Sequence, residues 1–342
     1  MMGRPVFHCR KVDAVTQEHP FAQYVRILGK GPNLSRPLSH DEARDAMSMI
    51  LGGAVEPVQL GAFLCLLRVK TETPEEASGL AAAIRATITP PPGLKVDVDW
   101  ASYAGKSRRL PYYLLAALAL AQSGISVFMH GAEGHTEGRV YTSEALAALG
   151  IAPATSLEQA ATQLRDRRFA YMTLDHLSPP LAAIMALKPL LGLRSPIHTV
   201  ARMVNPLGAA FSINGVTHPP YLPVHQGAAI LLGERSSAAF KGDGGEVERR
   251  PEKSCEVWAV MDGKPMREDW PALVDGVRER EEMDLARLKA LWSGSETDPA
   301  ADAAIAGTIA MVLRYSGRAA SVAEAETKGR TLWDGRDRTR IV

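Results

Sequence analysis

Apolar residues between positions 20 and 90 return every three or four places, the spacing that sets one stripe of a helix against a core. Ser39-His-Asp-Glu42 has the form of a capping box and opens a helix with Ala43, Met47, Ile50 and Leu51 on one face. Gly52-Gly53 ends that helix. Pro57 starts a second apolar helix, Val58 to Val69, and Thr73-Pro-Glu-Glu76 caps a third that runs to about Thr89. Pro90-Pro-Pro-Gly93 then breaks the pattern and reads as a linker.

Beyond the linker, short alternating runs take turns with helical stretches. Strands are expected at Val96 to Asp99, Ile125 to Met129, Phe169 to Leu174, Ala210 to Val216 and Glu256 to Val260. Helices are expected at Tyr112 to Ser123, Tyr141 to Leu149, Leu157 to Arg167, Pro179 to Leu191, Trp270 to Trp292 and Ala300 to Tyr315. Such alternation predicts an α/β layer around a largely parallel sheet. The fold class expected is therefore α/β: a small N-terminal helical domain, residues 1–92, and a larger α/β domain, residues 93–342, with a central mostly parallel sheet and flanking helices.

Composition narrows the function classes. At 342 residues with 46% hydrophobic and 23% charged residues, the chain has the balance of a globular protein. No apolar run approaches the roughly 20 residues of a bilayer span, and the first residues lack the apolar core of a secretory signal. Cys9, Cys65 and Cys255 are odd in number and far apart, so neither a disulfide framework nor a paired-cysteine metal site is expected. The histidines, from His8 to His225, show no metal-ligand spacing. A cytoplasmic protein without a membrane partner is the expectation.

A net charge of +1 hides local basic clusters: Lys106-Ser107-Arg108-Arg109, Arg165 with Arg167 and Arg168, Lys241, and Arg249-Arg250. The first cluster fills a strand-to-helix turn, Trp100 to Leu115. At such a turn, glycines let a backbone approach phosphate and the helix N-terminus faces the anion. Here only Gly105 is available and Pro111 sits at the helix entry, so attraction through charged side chains is expected instead of a backbone cradle. Tyr103, Tyr112 and Tyr113 flank the turn and are candidates for stacking on bases.

Several landmarks fall in a recognisable order: Leu38 to Ala43, Leu51-Gly-Gly, Gln59 to Leu64, Arg68 to Glu76, His130-Gly131, Leu146 to Gly150, Asn205-Pro206 and Gly242 to Glu246. Over about residues 20 to 335 the chain resembles the anthranilate phosphoribosyltransferase family (glycosyltransferase family 3) and the related pyrimidine nucleoside phosphorylases. The resemblance implies a helical domain that dimerises, joined by helices from about 175–200, and a cleft between the two domains. It also implies phosphoribosyl diphosphate, magnesium and an aromatic amine as ligands. Position by position, the family's pattern is altered. Its GTGGD phosphate loop and following hydroxyls correspond to Asp99 through Leu115, where that pattern is gone. The lysine and asparagine of its KHGN element are Met129 and Ala132, and its acceptor-binding arginine is Lys188. Its magnesium-holding DE pair reads Glu246-Val247.

Ser102 to Gly105 followed by Lys106, and Lys241 to Glu246 followed by Arg249-Arg-Pro251, are similar to a subset of the family described as nucleic-acid binders without the parent activity. The expectation is a homodimer that binds single-stranded DNA or RNA without sequence preference and lacks ordinary transferase activity. Lys106, Ser107, Arg108, Arg109, Arg165, Arg167, Arg168, Lys241, Arg249 and Arg250 would contact phosphates. Tyr103, Gly105, His130, Gly131, Lys188, Asn205, Asp243 and Glu246 would remain as a vestigial substrate cleft. No cofactor and no metal are expected, with Asp243 and Glu246 the candidates left for a cation. The alternative is a transferase that uses phosphoribosyl diphosphate and magnesium with a different acceptor, held by Lys188.

Overall fold

The computed structural model describes residues 18–277 and 279–342, so His8 and Cys9 lie outside the described residues. Four helices come first: α1 (Ala22–Gly29), α2 (His40–Leu51), α3 (Pro57–Lys70) and α4 (Pro74–Ala86). The side chains of Ser39 and Glu42 each accept from the other's backbone amide at the start of α2, and those of Thr73 and Glu76 do the same at α4, so both capping boxes form. Glu76 also ties the bundle together. Its buried carboxylate accepts from the Leu38 amide at 2.9 Å and from Lys70 Nζ at 2.6 Å, joining the entry of α2 to the end of α3.

The larger part alternates strands and helices: β1 (Val98–Ser102), α5 (Tyr112–Gln122), β2 (Val127–Gly131), α6 (Thr142–Ala148), α7 (Leu157–Arg167) and β3 (Phe169–Thr173). Four short helices follow, α8 (Leu174–Leu177), α9 (Pro179–Met185), α10 (Lys188–Leu191) and α11 (Ile197–Val200). Then come β4 (Phe211–Val216), α12 (Leu222–Leu231), β5 (Ser236–Lys241), β6 (Cys255–Met261), β7 (Lys264–Trp270), α13 (Ala286–Ser293), α14 (Pro299–Tyr315) and α15 (Val322–Asp334). One sheet runs β3-β2-β1-β4-β5-β6-β7, with parallel pairing from β3 to β5 and antiparallel pairing for β6 and β7.

The strands β1 to β4 are buried on both faces, and their side chains part with a period of two. Val127 and Met129 of β2, like Phe169 and Tyr171 of β3, join α5 and α14 on one side. Phe128, Ala170 and Met172 join the helical bundle and the α8–α11 segment on the other. The fold is thus an N-terminal helical domain beside a mostly parallel, helix-flanked sheet domain.

Four elements differ from the sequence expectation, one of them Pro179 to Leu191, which a turn at Ala186-Leu187 divides into α9 and α10. β1 runs on through Trp100 to Ser102, because the residues after Asp99 are as buried as those before it and pair with β2. Trp270 to Trp292 is not one helix: Trp270 ends β7 and, among the described residues, the helix there is Ala286–Ser293. β7 reads as polar because it is the outermost strand, with Lys264, Arg267 and Asp269 exposed.

Gly131 ends β2 with its Cα against β1. A Cβ there would stand 1.8 Å from the Ser102 carbonyl oxygen, so any side chain must force the two central strands apart. Gly131→Ala is expected to cost about 3 kcal/mol, read as a clear fall in the midpoint of thermal unfolding. An unchanged midpoint would refute this account of the strand contact.

Candidate functional site

Going outward from β1, the chain fills one flank of the sheet with β2 and β3 and then returns to place β4 on the other side. In open parallel sheets the crevice beyond the carboxyl ends of strands at such a reversal is where ligands bind. Here that crevice lies between the segment after β1 and the segment after β4, beneath α3 and α11.

A cavity of about 160 Å³ occupies it, lined by Tyr103 after β1, Gly215 to His218 around the end of β4, Arg68 of α3, and Arg194, His198, Thr199 and Arg202. Each guanidinium is fixed by neutral partners. Arg68 Nη1 donates to the Tyr221 hydroxyl at 2.8 Å, and Arg194 Nη2 to Thr136 Oγ1 at 2.9 Å. Arg202 Nη1 donates to the carbonyls of Gly215 and Gly245 at 3.2 and 3.1 Å, and its guanidinium lies 5.7 Å from the centre of the Tyr103 ring. Among the described residues none of the three forms an ion pair with a carboxylate. Burial holds Arg194 and Arg202 below the usual arginine value. Three positive charges therefore share one small crevice with no carboxylate in ion-pair contact, Glu72 acting on Arg68 and Glu246 on Arg202 only from farther off. An anion with several oxygens would supply that contact.

Three histidines stand in and beside the crevice, His198 and His225 in its wall and His135 in the wall of a neighbouring cavity. Burial pushes His135 and His198 down to about 4 and His225 to about 3, with the neighbouring guanidiniums acting in the same direction. At neutral pH they are uncharged. Such a histidine binds more protons unfolded than folded at pH values between its folded value and about 6.5. Its contribution to stability is thus present above about pH 6.5 and is lost as pH falls toward 4, at up to about 1.4 kcal/mol per pH unit for each imidazole. The midpoint of thermal unfolding is expected to fall between pH 7 and pH 5; a flat profile would contradict this.

A second cavity, about 650 Å³, adjoins the first across the ring contact of His135 with His198, whose centres are 5.9 Å apart. Leu174, Ala182, Met185 and Ala186 give it an apolar floor, and Glu133, Asp175 and Lys188 give it polar points. Lys188 Nζ donates to the His135 carbonyl at 2.9 Å, leaving two of its protons for a ligand. Its size and lining suit a small, largely apolar molecule.

The residues singled out in the sequence do not gather in one place. Tyr103 lines the crevice and Lys188 the second cavity, whereas Gly105 and Glu246 line neither and are joined to each other in the turn after β1. His130 is inside the sheet, its Nδ1 2.8 Å from the Tyr103 hydroxyl and its Nε2 3.3 Å from Asp99 Oδ1. Asn205 lies at the opposite, amino end of the strands, where it accepts from the Ala209 amide at 2.7 Å and donates to Glu234 Oε1 at 3.2 Å. Arg165, Arg167 and Arg168 also sit at that far end; Arg167 donates to the carbonyls of Phe169 and Ala152, and the Arg168 carbonyl accepts from Val127. Ser107, Arg108, Lys241 and Arg250 keep some exposure.

The basic turn itself is turned inward. Lys106 is 1% exposed and its Nζ is paired with Asp243 and with Glu248, the latter at 2.6 Å. Arg109 is paired with Asp243 at 3.1 Å and with Glu252 at 3.4 Å. Arg249 is wholly buried, with its guanidinium 5.0 Å from the centre of the Trp270 ring. Tyr112 and Tyr113 are core residues of α5. Glu246 Oε1 takes the amides of Ala104 and Gly105, so the turn is a locked part of the interior. The arginines and histidines of the crevice escaped the sequence reading because Arg68, His218 and His225 stand apart from the stretch that carries Arg194, His198 and Arg202, whose four-residue spacing is a local signal without a motif. Arg68 left a trace of its own, opening the landmark run that ends at Glu76.

Comparison with known proteins agrees with this geometry. Residues 22–88 match the family model described as the helical bundle domain of the glycosyl transferase family. The chain is 29% identical over 252 residues to the uncharacterized protein YbiB of Escherichia coli (strain K12), covering 72% of this chain and 78% of that one. It is 29% identical over 214 residues to an anthranilate phosphoribosyltransferase of Anaeromyxobacter sp. (strain Fw109-5), covering 60% of this chain and 62% of the enzyme. Among solved structures, anthranilate phosphoribosyltransferase from Thermus thermophilus superposes with a TM-score of 0.77 at 21% identity, over 92% of this chain and 94% of the other. The Saccharomyces cerevisiae enzyme in complex with phosphoribosyl diphosphate (PRPP) and Mg gives 0.72 at 16% identity, over 92% and 93%. The chain therefore has the fold of the anthranilate phosphoribosyltransferases.

These findings correct the expectation of a nucleic-acid-binding protein that has lost the parent activity, and with it the narrower resemblance to such a subset and the nucleic-acid partner. The relatives named for an activity are transferases. Lys106, Arg109 and Arg249 are internal and ion-paired or stacked, and the Arg165–Arg168 cluster lies at the other end of the sheet, so these clusters do not join into one basic face. Among the described residues no helix is long and apolar enough to cross a membrane.

Proposed function

We propose that the protein is a pentosyl transferase that takes phosphoribosyl diphosphate, or a close relative of it, and passes the sugar to an acceptor other than anthranilate. The observation that carries this reading is the convergence of Arg68, Arg194 and Arg202, without a paired carboxylate, at the reversal of strand order. The diphosphate would lie on these guanidiniums, where planar, charge-assisted contacts neutralise a leaving group better than in water. The acceptor would occupy the apolar cavity beside it. Lys188 favours an acceptor with a carbonyl or carboxylate, held as a point charge where a bidentate clamp would need arginine.

In the transfer, the bond from the anomeric carbon to the diphosphate oxygen breaks, a bond to the acceptor nucleophile forms, and the acceptor's proton is released. Bringing the two cavities together at the His135–His198 contact supplies proximity. Magnesium accompanies phosphoribosyl diphosphate in the yeast complex. The residues here do not fit a protein-held metal: Asp243 is paired with Lys106 and Arg109, Glu246 accepts two amides, and among the described residues no group of three metal-binding side chains is suitably placed. Cys65 and Cys255 are unpaired thiols, which favours the reducing cytosol as the place of action.

The test is release of pyrophosphate from phosphoribosyl diphosphate when the protein is offered a panel of aromatic amines and nitrogen heterocycles bearing a carboxylate or carbonyl. Acceptor-dependent release supports the reading, and failure of both phosphoribosyl diphosphate and pyrophosphate to bind overturns it. Lys188→Ala is expected to raise the acceptor KM about tenfold or more while leaving pyrophosphate affinity within about threefold, the loss of one charged contact.

A further inference from the structure

The segment after β5 brings four carboxylates, those of Asp243, Glu246, Glu248 and Glu252, against the turn that follows β1. Oxygen ligands gathered beside a phosphate-binding crevice are the means by which proteins hold a hard divalent cation. Here each carboxylate is already committed through at least one oxygen to a donor of the chain itself. Lys106 Nζ sits between Asp243 and Glu248. Arg109 reaches Asp243 at 3.1 Å, and Arg250 reaches Glu252 at 3.1 Å.

The amide donors of the turn are taken as well. Glu246 Oε1 accepts from Ala104 at 2.5 Å and Gly105 at 2.7 Å, and Glu248 Oε2 accepts from Tyr113 at 2.8 Å, in the first turn of α5. These are the backbone N–H groups that a phosphate would use at a strand-to-helix turn. The chain's own carboxylates stand where an anion would be cradled, and an ammonium stands among those carboxylates where a cation would be held. The loop is also tied to the crevice, because Arg202 bridges the carbonyls of Gly215 and Gly245.

We propose that Lys106 is a built-in cation occupying the place of a protein-bound divalent metal, so that a diphosphate anion is bound at Arg68, Arg194 and Arg202 without one. The second half rests on the reading of that crevice as the diphosphate site. Lys106 is 1% exposed and enclosed by its partners. Mg²⁺ dehydrates reluctantly and needs near-octahedral oxygen ligands, so it would have to displace an ammonium that already satisfies the same carboxylates.

The test uses the full chain. Calorimetric titration with inorganic pyrophosphate is run in EDTA and again with millimolar Mg²⁺, and Mn²⁺ binding is followed separately by electron paramagnetic resonance. The expected result is a pyrophosphate affinity that agrees within about threefold between the two buffers, and no Mn²⁺ site tighter than millimolar. Lys106→Ala, checked for folding by circular dichroism, is expected to gain a Mn²⁺ site at least tenfold tighter. A pyrophosphate affinity more than tenfold higher with Mg²⁺, or a tight Mn²⁺ site in the unaltered protein, would overturn the proposal. A folded Lys106→Ala protein with no gain in Mn²⁺ binding would do the same. Absence of pyrophosphate binding in both buffers would instead remove the diphosphate reading of the crevice, and the Mn²⁺ measurements alone would then decide the role of Lys106.

Discussion

Replacing Arg194 and Arg202 together by alanine is expected to weaken pyrophosphate binding by at least 100-fold. Charge-assisted hydrogen bonds contribute about 1.5–3 kcal/mol each, so two such residues amount to about 3–6 kcal/mol, and each 1.4 kcal/mol is tenfold. The two losses differ in kind. Arg194 is held by a single hydroxyl, Thr136 Oγ1, and its removal is expected to act on binding alone. Arg202 also bridges two carbonyls, so its removal is expected to loosen the contact between the ends of β4 and β5 and lower thermal stability as well. Isothermal calorimetry on the two single variants and the double variant, with unfolding midpoints alongside, separates the effects. A double variant that binds within tenfold of the unaltered protein would show that the diphosphate sits elsewhere.

The charge balance of the crevice explains why so much of the fold was legible in the sequence and so little of the site. Helical period, capping boxes and the Pro90–Gly93 break are local signals, and the four-helix start of the chain follows them closely. The parallel sheet was visible as alternation of strand and helix. The site is different, because it is assembled by topology. Arg68 and His225 are far in the chain from the stretch 194–202 that carries Arg194 and Arg202, and each alone looks like an ordinary surface or core residue. Conversely, the run Lys106 to Arg109 is the most conspicuous basic cluster near a phosphate turn, yet two of its members face inward because Asp243, Glu248 and Glu252 arrive from more than 130 positions away. Clustering along the chain says nothing about countercharges contributed by another element. A turn read as a polyanion contact therefore turned out to be an interior salt-bridge network.

That network sets the second large effect. Lys106→Met is expected to destabilise the protein by about 3–5 kcal/mol, the usual result of removing one partner from a buried ion pair. Methionine fills much of the same volume, so the loss is electrostatic: Glu248, wholly enclosed, and Asp243 lose their shared cation. In the intact protein, burial opposes the charge on Lys106 but the Glu248 and Asp243 carboxylates outweigh it and keep the ammonium above its usual value. Burial meanwhile pushes the Glu248 carboxyl up to about 7, even with Lys106 and the Tyr113 amide favouring the ionised form. Without Lys106 that carboxyl rises further. A carboxyl raised above its unfolded value of about 4.5 binds more protons folded than unfolded. Its favourable contribution is therefore present below about pH 4.5 and is lost as pH rises through the folded value. The stability deficit of Lys106→Met should accordingly be largest near pH 8 and shrink toward pH 5, opposite in sign to the histidine effect in the crevice. Adding Glu248→Gln should recover part of the loss at pH 8 and little of it at pH 5, because an amide needs no countercharge and still accepts from Tyr113. Denaturant unfolding of the three proteins at both pH values tests this, and a deficit that does not change with pH would mean that packing around Lys106, not its charge, holds the turn in place.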